Sequence, residues 1–222
     1  MVNTPVAPSP SVSVDLPEKR VQLYNISWQA YESILAAIGD RRSALLTYYK
    51  GLLEIMTPLE KHENSSDSID HFIQVLTEER DLDIKSMAST TLKHPNIRVG
   101  AEPDKAYYIA NEKLVRGKIV DLQIDPPPDL IVEVDITHTD INKNALYAEM
   151  GVPEFWRYNG QILTIYCLKS GVYEAVETSP TFPGVPKERL YQFLQDCAEV
   201  GETQAKRNLR RWIVEAGKSS KG

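Results

Sequence analysis

Apolar residues along this chain fall into two spacings, and the places where one gives way to the other mark its elements. Ser27 precedes an apolar-rich stretch from Trp28 to Ile38 that stops at Gly39, which predicts a capped helix. Ala44 to Tyr49 and Leu52 to Met56 flank Lys50-Gly51, the pattern of a β-hairpin. Ile69, Phe72, Ile73 and Leu76 follow at i, i+3, i+4 and i+7, one apolar stripe on a longer helix. The period then shortens, and Ile84 to Ala88, Thr90 to Lys93, Lys105 to Ile109 and Leu130 to Asp135 read as strands. A helix from about Asp140 to Met150 is stopped by Gly151 and Pro153. Glu154 to Tyr158 and Gln161 to Leu168 make a second hairpin about Asn159-Gly160, extended by Val172 to Val176. Helices near Pro186–Cys197 and Gln204–Ala216 complete the series.

This order gives an α/β protein with a mixed β-sheet flanked by helices, without a regular βαβ alternation or an internal repeat. Residues 1–20 read as a disordered lead, because Pro5, Pro8, Pro10 and Pro17 are spaced among Ser, Thr and Val. Residues 21–222 are then a single domain with helices at its end, long enough to bury a core. The net charge of −6, from 25 basic and 31 acidic side chains, argues against a protein that coats nucleic acid. It is compatible with an enzyme that meets DNA or RNA through one local patch. Cys167 and Cys197 are too few for a disulfide framework or a thiolate zinc site. Met1 to Val14 lacks the features of a signal peptide, and no run of about 18 apolar residues occurs. A cytoplasmic setting with no membrane association is the expectation.

The most informative stretch is Pro128-Asp129-Leu130-Ile131-Val132-Glu133-Val134-Asp135. Its branched aliphatics predict a central strand buried on both faces. Alternation puts Leu130, Val132 and Val134 on one face and Asp129, Ile131, Glu133 and Asp135 on the other. A carboxylate inside such a strand loses its hydration and demands a cation, a proton or dense hydrogen bonding. Taken alone, Glu133 is explained as well by a supporting ion pair as by a metal site. Pro103-Asp104 opens the next candidate strand, which can lie alongside and bring Asp104 to Glu133. Asp129 is the weaker partner, since four residues of strand span roughly 13 Å, while Asp135 at roughly 7 Å can assist.

Lys143 shares a helical stripe with Leu146, Tyr147 and Met150, so it faces the sheet unless it snorkels outward. A lysine aimed at Glu133 makes two misplaced charges explain each other. Two carboxylates and a lysine are a minimal set for metal-assisted phosphodiester hydrolysis. The carboxylates hold Mg²⁺, which polarises a phosphoryl oxygen and activates a bound water, and the ammonium steadies that water or the transition-state charge.

The run from Pro128 to Thr137, Lys143 to Tyr147, and Gly151-Val152-Pro153-Glu154-Phe155-Trp156-Arg157-Tyr158 together resemble the Uma2 family of restriction-endonuclease-like proteins. Leu53-Glu54-Ile55-Met56-Thr57-Pro58, His62-Glu63 and Glu102-Pro103-Asp104 share the likeness, which covers about residues 25–215. The resemblance implies the PD-(D/E)XK nuclease fold, with Asp104 as the motif aspartate and Glu133 as the acid of the (D/E)XK element. It makes Glu63 a candidate additional acid. The pattern asks for lysine two residues after the acid, where this chain has Asp135, so the resemblance implies a lysine migrated to the next helix, and Lys143 fits. It further implies Mg²⁺ or Mn²⁺ as cofactor, DNA as substrate and a homodimer.

His62, His71, His94 and His138 show no ligand spacing, although His62 beside Glu63 can line the site. Trp156 and Tyr158 suit core packing better than base stacking. The last nineteen residues carry Lys206, Arg207, Arg210, Arg211, Lys218 and Lys221 against Glu215, a solvated face or a local attractor for phosphate. Two rivals stand beside the nuclease. One is a nucleic-acid-binding or regulatory module on an inactive nuclease scaffold, and the other is a structural protein in which Glu133 and Lys143 are a buried ion pair.

Overall fold

The aliphatic run around Val132 forms the innermost strand of the molecule. A computed structural model describes residues 18–39 and 43–219, with side chains as far as Gly217. In chain order the elements are β1 (Lys19–Leu23), α1 (Trp28–Ile38), β2 (Leu45–Tyr49), β3 (Leu52–Thr57), α2 (Glu60–Glu79), β4 (Lys85–Ser86), β5 (Leu92–His94), β6 (Val99–Ala101), β7 (Lys105–Tyr108), α3 (Glu112–Val115), β8 (Leu130–Val134), α4 (Lys143–Glu149), β9 (Glu154–Tyr158), β10 (Leu163–Lys169), β11 (Val172–Val176), α5 (Lys187–Val200) and α6 (Glu202–Ser219). They build a five-stranded sheet in the order β1-β3-β2-β6-β5 and a six-stranded sheet in the order β11-β10-β9-β8-β7-β4. The larger sheet is mixed, because β8 runs parallel to β9 while its other pairings are antiparallel.

That parallel pair positions the site. Parallel neighbours cannot be joined by a tight turn, so the chain leaves β8, crosses one face as α4 and returns as β9. α4 therefore covers the face of β8 that carries Ile131, and Ile131 is buried with Leu146, Tyr147, Met150 and Phe155. On the opposite face Leu130, Val132 and Val134 are buried against Ile69, Phe72, Ile73 and Leu76 of α2, with Phe193 of α5 and Leu209 of α6. The stripe spaced for a helix is thus the one that α2 buries. Asn142 caps α4, its side chain accepting from the Ala145 N–H, so the helix starts at Lys143 rather than near Asp140.

The smaller sheet grows from the expected hairpin. Lys50 and Gly51 both have positive φ (48° and 85°), the primed turn that matches strand twist. Ser170 and Gly171 repeat it between β10 and β11. Three elements lacked a readable signal: β6 and α3 are too short, and β1 carries Arg20 and Gln22 where an edge strand needs only backbone pairing with β3. β1 takes in Lys19 and Arg20, the last residues of the expected lead, whereas residues 1–17 lie outside the described residues. Among the described residues no helix is long and apolar enough to cross a membrane.

α1 is locked onto the smaller sheet by aromatic packing. Tyr31 stacks on Tyr48 at 4.9 Å between ring centroids and lies against Gly100, where an added Cβ would come within 2.3 Å of its hydroxyl oxygen. Tyr31 is fully buried and has nowhere to retreat. Gly100→Ala should therefore destabilise the protein by about 1–3 kcal/mol in denaturant titration, and a neutral result would show that Tyr31 can shift.

Candidate active site

Continuing the β7–β8 register one step past the Lys105–Val132 pair sets Asp104 beside Glu133. Asp104 is fixed there by the Val134 N–H, which donates to its Oδ2 at 2.6 Å. From α4, Lys143 reaches both acids of β8: its Nζ donates to Glu133 Oε2 at 2.8 Å and to Asp135 Oδ1 at 2.6 Å. One helical turn on, the Tyr147 hydroxyl donates to Glu133 Oε1. Arg157, level with Glu133 in the parallel register, donates from Nε to Asp135 Oδ2 at 2.7 Å. Asp104, Glu133 and Lys143 are thus brought together, each at most 6% exposed. The side chain of Glu63 is 53% exposed, and its contact with the group is indirect, 3.8 Å from Nδ1 of His62. Asp129 sits away from the cluster, accepting from the Ile109 and Asn111 backbone N–H groups.

A second ring of polar groups closes the site from the smaller sheet. His62 on α2 is 1% exposed, with Nε2 3.3 Å from Asp104 Oδ2 and 3.8 Å from Glu18 Oε1. Arg20 is fully engaged, donating to Thr137, Glu54 and Glu18, while Thr139 donates to Glu54 as well. Glu54, in the segment Leu53 to Pro58, therefore ties the hairpin to the loop that follows β8.

Burial and neighbouring charge set the protonation states. Burial pushes the Glu133 carboxyl up to about 7, with Asp104 and Asp135 adding to the rise and Lys143 opposing it. Burial also works against charge on Lys143, but Glu133, Asp135 and Asp104 overcome it and hold the ammonium above its ordinary range. For Asp135 burial is outweighed by Lys143 and Arg157, which hold it below the usual carboxylate range. His62 follows the same logic, with burial outweighed by Asp104, and its pKa is raised. The inner site is thus an ammonium shared by a firm carboxylate and one that takes up a proton near neutrality.

The donor set fits a hard divalent cation. Asp104 and Glu133 are oxygen donors side by side, with both oxygens of Glu133 and Oδ2 of Asp104 accepting hydrogen bonds within the protein, and Glu18 Oε1 is buried nearby without a hydrogen-bond partner. Among the described residues no three His, Cys, Asp or Glu side chains converge into a complete cage. An ion held here would take one or two of these carboxylates and leave its other positions to water and substrate.

Tyr147, Arg157 and the Glu18–Arg20–Glu54 group are members of the cluster that sequence reasoning missed, and Asp135, expected to assist Glu133, is the anchor of Lys143. Tyr147 carried a signal, four residues after Lys143 on the same stripe, but a tyrosine there also reads as packing. Arg157 carried none without the β8–β9 register.

This fold and cluster define a mixed α/β protein with a buried acid–lysine site on the crossover between two parallel strands. Residues 28–195 match the family model Uma2, described as a putative restriction endonuclease, and the chain belongs to that family. The crystal structure of a putative nuclease belonging to DUF820 from Anabaena variabilis shares the fold, with a TM-score of 0.52 and 14% sequence identity over 76% of this chain and 99% of that one. No curated protein matches the chain.

Two predictions follow from the protonation pattern and the burial. Lys143→Met leaves Glu133 and Asp135 buried beside no ammonium and should cost about 3–5 kcal/mol in denaturant titration; a loss under about 1 kcal/mol would mean the cluster rearranges freely. Because the folded state raises the Glu133 value from 4.5 to about 7, it binds that proton more tightly than the unfolded chain does. Its contribution to stability is therefore complete at the acid end of that window and falls as pH rises through it. Asp135 has the opposite sign, contributing above its ordinary value and losing that as pH falls. Glu133→Gln should thus flatten the stability profile between pH 4.5 and 7, and a profile parallel to the wild type would contradict the raised value.

Proposed function

We propose that this protein is a Mg²⁺- or Mn²⁺-dependent endonuclease that hydrolyses DNA phosphodiester bonds at Asp104, Glu133 and Lys143. The observation that carries the reading is Lys143 Nζ seated 2.8 Å from Glu133 Oε2, with Asp104 hydrogen-bonded to the very next backbone N–H. Asp104 and Glu133 would hold the ion. When bound, such an ion supplies charge for a phosphoryl oxygen and a water of lowered pKa. Lys143 keeps its proton and stabilises negative charge developing beside Glu133. Tyr147 orients Glu133 through its hydroxyl, and His62 restrains Asp104 from the α2 side. Glu63, largely exposed on the same helix, would assist from the rim. The PD-(D/E)XK assignment, with the motif lysine relocated to α4, belongs to this reading, as do a homodimer and a cytoplasmic setting.

A second reading, a nucleic-acid-binding module on an inactive nuclease scaffold, is favoured by one observation: both oxygens of Glu133 already have donors within the protein. Supercoiled plasmid incubated with the full chain and Mn²⁺ or Mg²⁺ separates the two. Metal-dependent nicking that drops at least about 10²-fold in Glu133→Gln and in Asp104→Asn is the expected result. Duplex binding without nicking, together with no metal uptake by calorimetry, would favour the binding module and discard the nuclease.

A further inference from the structure

Three permanent cations serve the carboxylates around β8, and they differ in what they have left to offer. Arg20 is 10% exposed, with Nε committed to Thr137 and its two terminal nitrogens to Glu54 and Glu18. Lys143 is 5% exposed and committed to two carboxylates. Arg157 is 35% exposed and commits only Nε, which donates to Asp135 Oδ2. Its terminal nitrogens have no protein acceptor among the described residues and reach solvent. The guanidinium therefore presents an unused fork while its inner edge is held by an acid.

Its position makes the fork relevant. Glu133, Arg157 and Thr164 lie level with one another across β8, β9 and β10. Neighbouring strands are about 4.8 Å apart, so Arg157 starts one strand from Glu133 on the face that α4 covers. Asp135 bonds the buried Lys143 with one oxygen and the half-exposed Arg157 with the other. The acid at the place of the pattern's lysine thus joins an inner cation to an outer one.

We propose that Arg157 is the residue through which this site grips a backbone phosphate of duplex DNA, with Asp135 as the positioning residue that aims it. The assignment rests on the nuclease reading of the site. A planar guanidinium with two free parallel donors matches a phosphate's oxygens in a way a lysine cannot. Every nitrogen of Arg20 and Lys143 is already bonded inside the protein, so among the described residues of the cluster Arg157 is the cation whose terminal nitrogens can take such a ligand without breaking an internal bond.

The test is binding of a fluorescein-labelled DNA duplex by the full chain, followed by anisotropy across a range of salt in Ca²⁺. Arg157→Gln keeps a side-chain donor for Asp135 and removes the charge. It should bind about tenfold more weakly at moderate salt and show a log–log salt slope shallower by about 0.9, the loss of one phosphate contact. Arg157→Lys should restore the slope but only part of the affinity. A purely structural Arg157 would lower the melting temperature of the Gln variant and leave the slope unchanged, which overturns the proposal. In the wild type, phenylglyoxal should modify Arg157 and bound duplex should protect it; modification undiminished by duplex overturns the proposal without relying on any variant. Absence of duplex binding by the wild type overturns the nuclease reading and this proposal together. Binding with an unchanged slope in Arg157→Gln overturns this proposal alone.

Discussion

The ammonium of Lys143, held between Glu133 and Asp135, is the interaction on which the centre of the molecule depends. β8 is an interior strand with aliphatic side chains against helices on both faces, and such a strand accepts a carboxylate only if a compensating charge is brought to it. The parallel pairing of β8 and β9 delivers that charge, because the crossover it requires is α4 and the first residue of α4 is Lys143. Asn142 sets the phase of the helix, so Lys143 and Tyr147 fall on the same face one turn apart and converge on the two oxygens of Glu133. A change in crossover length or helix start would leave the acids buried without a partner. Topology and electrostatics here are one constraint.

The smaller sheet extends the same accounting. Arg20 and Glu54 come from adjacent strands, β1 and β3, and meet Thr137 and Thr139 in the loop that leaves β8. Each nitrogen of Arg20 has an acceptor, so the polar seam between hairpin and loop is largely satisfied. Nearer the site, Glu18 Oε1 is buried without a hydrogen-bond partner, and His62 lies within ion-pair distance of both Glu18 and Asp104. Protein interiors pair such groups, so Glu18 Oε1 is an acceptor left open at the end of that seam.

Much of this was legible from residue pattern alone. The alternation through Leu130 to Asp135 separated the two faces of β8 as the structure does, because one strand's period needs no knowledge of its neighbours. The stripe of α2 and the Lys50-Gly51 turn were legible for the same reason: period and turn chemistry are local. The odd placement of Glu133 and Lys143, each costly in isolation, pointed to their meeting. What stayed hidden depends on register between distant segments. Arg157 reaches Asp135 because Glu133 and Arg157 are level in the parallel pair, which no property of Glu154 to Tyr158 encodes. Arg20 sits in a stretch whose composition resembles the residues before it, and its partners are 34 and 117 positions away.

The same register explains how a chain of net charge −6 places a partly exposed cation beside its buried acids. The basic final helix read as a solvated face or a local attractor for phosphate; in the structure Arg210 of α6 is paired with Glu78 and Glu79 on α2, and Leu209 is buried in the core. That helix spends its central arginine on docking, while Arg207 and Arg211 are exposed and Lys206 is partly buried toward α5. Around β8, Asp135 bridges two cations: the buried Lys143, which it shares with Glu133, and the partly exposed Arg157. An isolated Asp at that position would repel a phosphate. Bridging Lys143 and Arg157, it keeps the inner edge of the guanidinium on the acid and leaves the outer edge toward solvent.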